Sequence, residues 1–176
     1  LEKGAQIVIC PRVTDAAVAI GPVAWHFGWA RDDWDRLAAA AVAGHLLECG
    51  PHATGGNFAF YRDVAGLEDG LGRPIVEIEP SGDFVVELEP GTGGAVTIDT
   101  ITAQLLYEVG SVRYLTPDVT VHWDSIELTQ VGENRVRVHG VAGSPPPRTL
   151  KAGLSYVAGY RNSMTLGATS PDARDK

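Results

Sequence analysis

Apolar residues between positions 34 and 49 recur at helical spacing. Trp34, Leu37, Ala38, Ala41, Val42 and Leu46 form one face, so a helix is predicted over 34–49. Asp32 and Asp33 stand where a cap is needed, and Gly50-Pro51 stops the run. A second helix is predicted over 100–109, with Ile101, Leu105, Leu106 and Val109 on its face and Gly110 after it. A shorter one is expected over 16–20, capped by Thr14 or Asp15 after the turn at 11–15.

Other stretches have strand character. Residues 6–10 are almost continuously apolar, as in a central strand covered on both faces. Runs at 74–79 and 83–89 flank Pro80-Ser81-Gly82 and predict a hairpin. Further strands are expected over 119–122, 125–131, 135–140 and 150–158, with Gly132-Glu133-Asn134 as a hairpin turn and Pro145-Pro146-Pro147 as a loop. Residues 54–72 are loop-like, and 162–176 have no periodic apolar pattern and are expected to be a frayed or truncated tail. This order predicts an α/β or α+β fold. Helices pack on a mixed sheet, and the C-terminal half is an antiparallel meander rather than part of a parallel dinucleotide-binding sheet. The chain enters its first strand-like run almost at once, which suits a fragment of a larger domain. The neighbours of 6–10 would then lie elsewhere, and Ile7, Val8 and Ile9 are expected to be bare.

Composition narrows the function classes. With 176 residues, 44% hydrophobic and 20% charged, the chain is long enough and apolar enough for a sizeable core. Lys and Arg number 14 against 22 Asp and Glu, and the basic residues are scattered, which argues against a nucleic-acid partner. The longest apolar stretches are interrupted by Gly, Pro or His and are too short to span a bilayer, and no signal peptide is visible. Cys10 and Cys49 have the look of reduced thiols, so a cytoplasmic location is expected.

Three groups of residues carry candidate chemistry. Thr54, Gly55, Gly56 and Asn57, and likewise Thr92, Gly93 and Gly94, form glycine-rich turns whose N–H groups suit an anion. Neither is a Walker motif or a dinucleotide fingerprint, and ligand-free tight turns account for them equally well. His45 and Cys49 share a helix face at i, i+4 and form a candidate nucleophilic pair, although a packed thiol and a satisfied histidine are the commoner fates. Asp15 and Asp118 follow turn signals and are candidate general bases, or else a cap and a turn residue. Trp25, Phe27, Trp29 and Trp34 suit either a pocket for a branched chain or core packing. No metal and no cofactor is assigned.

Several segments taken together carry a resemblance. Arg12-Val13-Thr14-Asp15-Ala16-Ala17, Phe27-Gly28-Trp29 and Asp32-Asp33-Trp34-Asp35-Arg36-Leu37-Ala38 come first. Gly44-His45-Leu46-Leu47-Glu48-Cys49-Gly50, Thr54-Gly55-Gly56-Asn57-Phe58 and Pro90-Gly91-Thr92-Gly93-Gly94 follow. Gln104-Leu105-Leu106-Tyr107-Glu108, Tyr114-Leu115-Thr116-Pro117-Asp118-Val119 and the stretch from Val131-Gly132 to Val136-Arg137-Val138 complete the pattern. In this order the chain resembles the acyclic terpene utilisation protein A family over roughly residues 5 to 160. Cys10-Pro11 departs from the family's small residue and glycine before Arg12, and the chain leaves the pattern after Tyr160-Arg161. Family members are longer, so the resemblance implies that 1–161 form the second half of the family domain. It also implies a place in bacterial catabolism of acyclic terpenes such as citronellol and geraniol, a route that runs through CoA thioesters. The expected ligand is a terpenoid or acyl-CoA small molecule, and a homo-oligomer is compatible. The site is expected where 49–57 meet 91–94, with Arg12 among the anion-binding residues. The rival expectation is a non-catalytic binding or assembly subunit.

Overall fold

The computed structural model describes residues 1, 3–9 and 14–165. A 3₁₀ turn at Asp15–Val18 leads into helix α1 (Ile20–Phe27), and helix α2 (Trp34–Glu48) follows. The hairpin β1 (Pro74–Ile78) and β2 (Phe84–Leu88) precedes helix α3 (Ile98–Leu105). Strands β3 (Arg113–Leu115), β4 (Thr120–His122), β5 (Glu127–Gly132), β6 (Arg135–His139) and β7 (Ala142–Ser144) complete the order. The result is a mixed α/β fold with a C-terminal strand meander.

Helix α1 extends past the short helix expected over 16–20. Gly21 and Pro22 look like breakers, but they lie in the first turn, where the N–H that proline lacks has no intrahelical acceptor. Helix α2 begins at the predicted residue, yet it is buried on all sides rather than along one stripe, with every residue from Leu37 to Leu46 buried. Its run of alanines allows this, because small side chains let neighbours approach from every direction. The closest approach is at Gly44, where a Cβ would run into the Ala16 carbonyl, so glycine fixes how near the Asp15–Val18 turn can lie.

The strands form two antiparallel sheets, ordered β1-β2-β6-β5 and β3-β4-β7. In the larger sheet Phe84 pairs with Val138 and Val86 with Val136, and all four are fully buried. In the next register position, Glu87 and Arg135 face the other way, and Arg135 pairs with Glu87 at 2.6 Å on the outer surface. This alternation is that of a sheet with one face on the core. The smaller sheet contributes Val121, and α2 and α3 supply Leu46, Val42 and Ile101 to the same core.

Helix α3 starts two residues earlier than expected, because Thr97 and Thr100 form a reciprocal capping box. It also stops sooner: the backbone leaves the helix at Leu106, and Glu108 adopts a left-handed φ of 58°.

Two predicted strands are absent among the described residues. Residues 6–9 are irregular, with Ile7 and Ile9 83% and 92% exposed, and so bare as expected. Residues 150–158 are irregular as well, and Leu154 and Val157 are exposed. A strand needs a ladder partner for its backbone groups, and neither segment has one among the described residues.

Candidate functional site

The end of α2 meets the Asp15–Val18 turn and the segment after α3, and a cleft of about 830 Å³ opens there. Asp15, Glu48 and Glu108 each offer a carboxylate oxygen to it, and these oxygens lie within 4.8 Å of one another. The three residues come from three different elements, so only tertiary packing brings them together. Such a trio accepts hydrogen bonds and fits a ligand hydroxyl or a hard cation.

His45 lies one turn before Glu48 on α2 and lines the same cleft. It is 3% exposed, and its Nε2 is 2.8 Å from the Gln104 carbonyl. A carbonyl only accepts, so Nε2 carries the proton. Burial lowers the imidazole pKa below the usual 6.5, which keeps the ring neutral and leaves Nδ1 as an acceptor. The rings of Tyr114 and Trp123 brace His45, Trp123 edge-on at 5.3 Å between centroids. Thr14, Tyr114, Leu115, Thr116 and Pro117 continue the wall, together with Pro147, Thr149, Leu150 and Lys151.

Of the residues expected to be catalytic, Asp15 and His45 meet in this cleft. Cys49 does not pair with His45. Its Sγ donates to Glu48 Oε1 at 2.9 Å, and burial together with that carboxylate pushes the thiol up to about 11. Such a thiol is protonated at neutral pH, the reverse of an activated nucleophile. Asp118 is exposed at the tip of the β3–β4 turn, where its N–H donates to Thr116 Oγ1 at 3.3 Å, and it is absent from the cleft wall. It acts as a turn residue. Arg12 lies outside the described residues.

The two glycine segments do come together, but their donors are spent on each other and on their neighbours. Ala95 N–H donates to the Thr54 carbonyl at 2.9 Å, which ties one loop to the other. Gly55 and Asn57 donate to His52, Gly56 to Pro51, Gly93 to Gly70 and Gly94 to Ala65. Thr54 Oγ1 donates to Gly72 at 2.7 Å, and Thr92 Oγ1 to Glu89 at 2.6 Å. Asn57 Nδ2 reaches Ala103 at 3.3 Å. The glycines are there for close packing, since a Cβ at Gly93 would run into the Gly66 carbonyl. The N–H groups of these glycines are therefore not free to cradle an anion, and α3 is already capped by Thr97.

Glu48, Glu108 and Tyr114 were missed as site residues. Glu48 follows His45 at i, i+3 and was within reach of a helical-spacing argument. Nothing in the spacing of positions 15, 48 and 108 announces that they converge. The aromatic set divides between surface and core: Phe27 stacks on Trp29 at 5.4 Å, Trp34 packs against the core, and Trp25 is half exposed. None of them lines the cleft.

The fold and the cleft thus define a mixed α/β protein with a cavity walled in part by carboxylates. The chain belongs to the acyclic terpene utilisation family AtuA, whose family model matches residues 1–176, the stretch 162–176 included. No curated protein and no solved structure matches it. Among the described residues no helix is long and apolar enough to cross a membrane.

Proposed function

We propose that the chain is an enzyme of acyclic terpene utilisation that binds a terpenoid in the cleft between Asp15, Glu48 and Glu108. The family supplies the metabolic setting. The observation that carries the reading is the convergence of three carboxylates and a buried neutral histidine on one cavity, with apolar side chains at hand for a hydrocarbon chain. Proton transfer is the chemistry such groups support: a carboxylate takes a proton from a bound ligand, and His45 holds the polar end in place. Handling of an acyl-CoA is the weaker form of this proposal, because the N–H groups of Gly55, Gly56, Asn57, Gly93 and Gly94, in the loops expected to cradle its phosphates, are already hydrogen-bonded within the fold.

The test is to incubate the purified protein with acyclic terpenoid alcohols, acids and CoA thioesters and follow the products by mass spectrometry. Conversion by the wild type, lost in Asp15→Asn and Glu48→Gln with unchanged circular dichroism, is expected. Binding without conversion of any of these compounds would overturn the enzyme reading.

A second reading, a non-catalytic binding or assembly subunit, draws on the bare apolar segments at Ile7 to Ile9 and at Leu150, Leu154, Tyr156 and Val157. It predicts that conversion appears only when a partner protein is added.

A further inference from the structure

The stretch 150–161 has the pattern of a strand and no sheet to sit in. Leu150, Ala152, Leu154, Tyr156, Ala158 and Tyr160 fall on every second position, and the positions between them hold Lys151, Ser155, Arg161, two glycines and Val157. As a strand it would have one apolar face and one that is small or polar apart from Val157. In the fold the stretch is irregular, with Leu154, Tyr156 and Tyr160 at least 84% exposed. Such a segment becomes a strand only where its backbone finds a ladder and its apolar face a cover.

One sheet edge offers both. Among the described residues β1 pairs with β2 and with no other strand. Glu79 N–H donates to the Asp83 carbonyl, and Glu89 N–H to the Arg73 carbonyl, so by antiparallel alternation Val76 and Ile78 turn their N–H and C=O groups to the open side. Thr54 bonds to the chain just before β1, at Gly72, and Trp29 just after it, at Pro80. On the core-facing side Val76 and Ile78 are only half-buried, whereas their partners Val86 and Phe84 are fully buried. The other edges are less open. β5 is irregular between Gln130 and Gly132, and the Gln130 side chain bonds to Ile98 N–H and the Val96 carbonyl. β3 and β7 have three residues each, and β7 lies so close to α2 that a Cβ at Gly143 would run into the Trp34 carbonyl.

Charge selects the occupant. Arg148, Lys151 and Arg161 are the only charged residues of 148–161, in a chain whose formal charge is −8. The outer face of β1 holds Glu77, with Glu79 directly after the strand. Pairing of the segment with the same segment of another copy would instead bring basic residues together.

We infer that residues 150–161 of one copy add as an extra strand to the open edge of β1 in a second copy. The apolar face lies beside Val76 and Ile78, and the basic residues lie towards Glu77 and Glu79. Reciprocal exchange gives a twofold dimer with two such contacts. The inference stands whatever the cleft binds, although Leu150 and Lys151 line it, so the contact begins at the cleft's own wall.

The experiment is analytical ultracentrifugation of the full chain at concentrations up to about 100 μM, where a dimer of micromolar affinity is assembled. Amide hydrogen exchange is followed by mass spectrometry at both ends of that range. A concentration-dependent dimer is expected, with exchange slowing at 150–161 and at Val76 and Ile78 as it fills. Tyr156→Asp, at an exposed position, is expected to weaken the dimer about tenfold or more with unchanged circular dichroism. The Lys151→Glu, Arg161→Glu double variant and Glu77→Lys each weaken it as well. An equimolar mixture of these two proteins restores it, because both contacts then join opposite charges again. A chain that stays monomeric across the range overturns the inference, whether 150–161 exchange freely or are protected by the chain's own fold. A dimer in which Val76 and Ile78 exchange as fast as in the monomer overturns it too, since the copies then meet by another face.

Discussion

The glycine junction and the carboxylate cleft lie at opposite ends of the sequence-to-function argument. At the junction, glycine and threonine motifs stand out in the sequence, and in the fold their donors are consumed: Gly93 N–H by Gly70, Gly94 N–H by Ala65, and the hydroxyl of Thr54 by Gly72. In the cleft, three unremarkable acidic residues far apart in sequence are drawn within 4.8 Å, alongside a histidine nitrogen left as an acceptor. The difference teaches that motif prominence reports the needs of the backbone as readily as those of a ligand. What separates the two regions is where the polar groups are used: at the junction the glycine N–H groups bond within the fold, whereas in the cleft side-chain oxygens from three elements converge on one cavity.

The sharpest way to break this comparison is Gly93→Val. If the junction is structural, the new side chain meets the Gly66 carbonyl, and urea denaturation is expected to show a loss of about 3 kcal/mol or failure to fold. A stable protein that had lost only ligand affinity would restore the junction as a site.

Next in size is the reactivity of Cys49. Raising its pKa from 9.0 to about 11 lowers the thiolate fraction at pH 8 about a hundredfold. Alkylation by iodoacetamide, read at the Cys49 peptide by mass spectrometry, is expected to be slower than for a free thiol by about that factor. It should accelerate in Glu48→Gln. The sign for stability follows. Because the folded protein holds this proton more tightly, the contribution is present in full below pH 9 and is lost as pH rises towards 11. Fast alkylation at neutral pH would revive the nucleophilic pair.

The smallest effect has the opposite sign to the first. Glu108 is one of two described non-glycine residues with positive φ, a conformation that costs about 1 kcal/mol. Glu108→Gly is expected to stabilise the fold by about that much in urea denaturation while weakening binding of geraniol. Destabilisation would mean that the carboxylate serves the fold and that the two regions are alike.

The elements were legible where local chemistry decides them. The turn at Gly132-Glu133-Asn134 sits between β5 and β6, as its residue types require, with Asn134 at a φ of 53°. The helix over Trp34–Glu48 was announced by its spacing, its acidic start and its Gly-Pro stop. The complete burial of that helix was not legible, because an alanine run fits a one-sided or an enclosed helix equally. Nor was the fate of the runs at 6–9 and 150–158, whose apolar character is that of strands but whose pairing depends on partners that no local pattern specifies. In the site, His45 and Asp15 were found by residue type and position. Glu48 passed as part of the helix end, and Glu108 had no local mark at all, since its place beside Asp15 is a property of how α2, α3 and the first turn pack.

The central claim, that ligand binds at the cleft and not at the glycine junction, is tested most directly by following backbone amide resonances of the isotope-labelled chain during titration with geraniol. The predicted result is saturable shifts at Asp15, His45, Glu48, Glu108 and Tyr114, with Gly55, Gly56, Gly93 and Gly94 unmoved. Shifts confined to those four glycines would contradict the account.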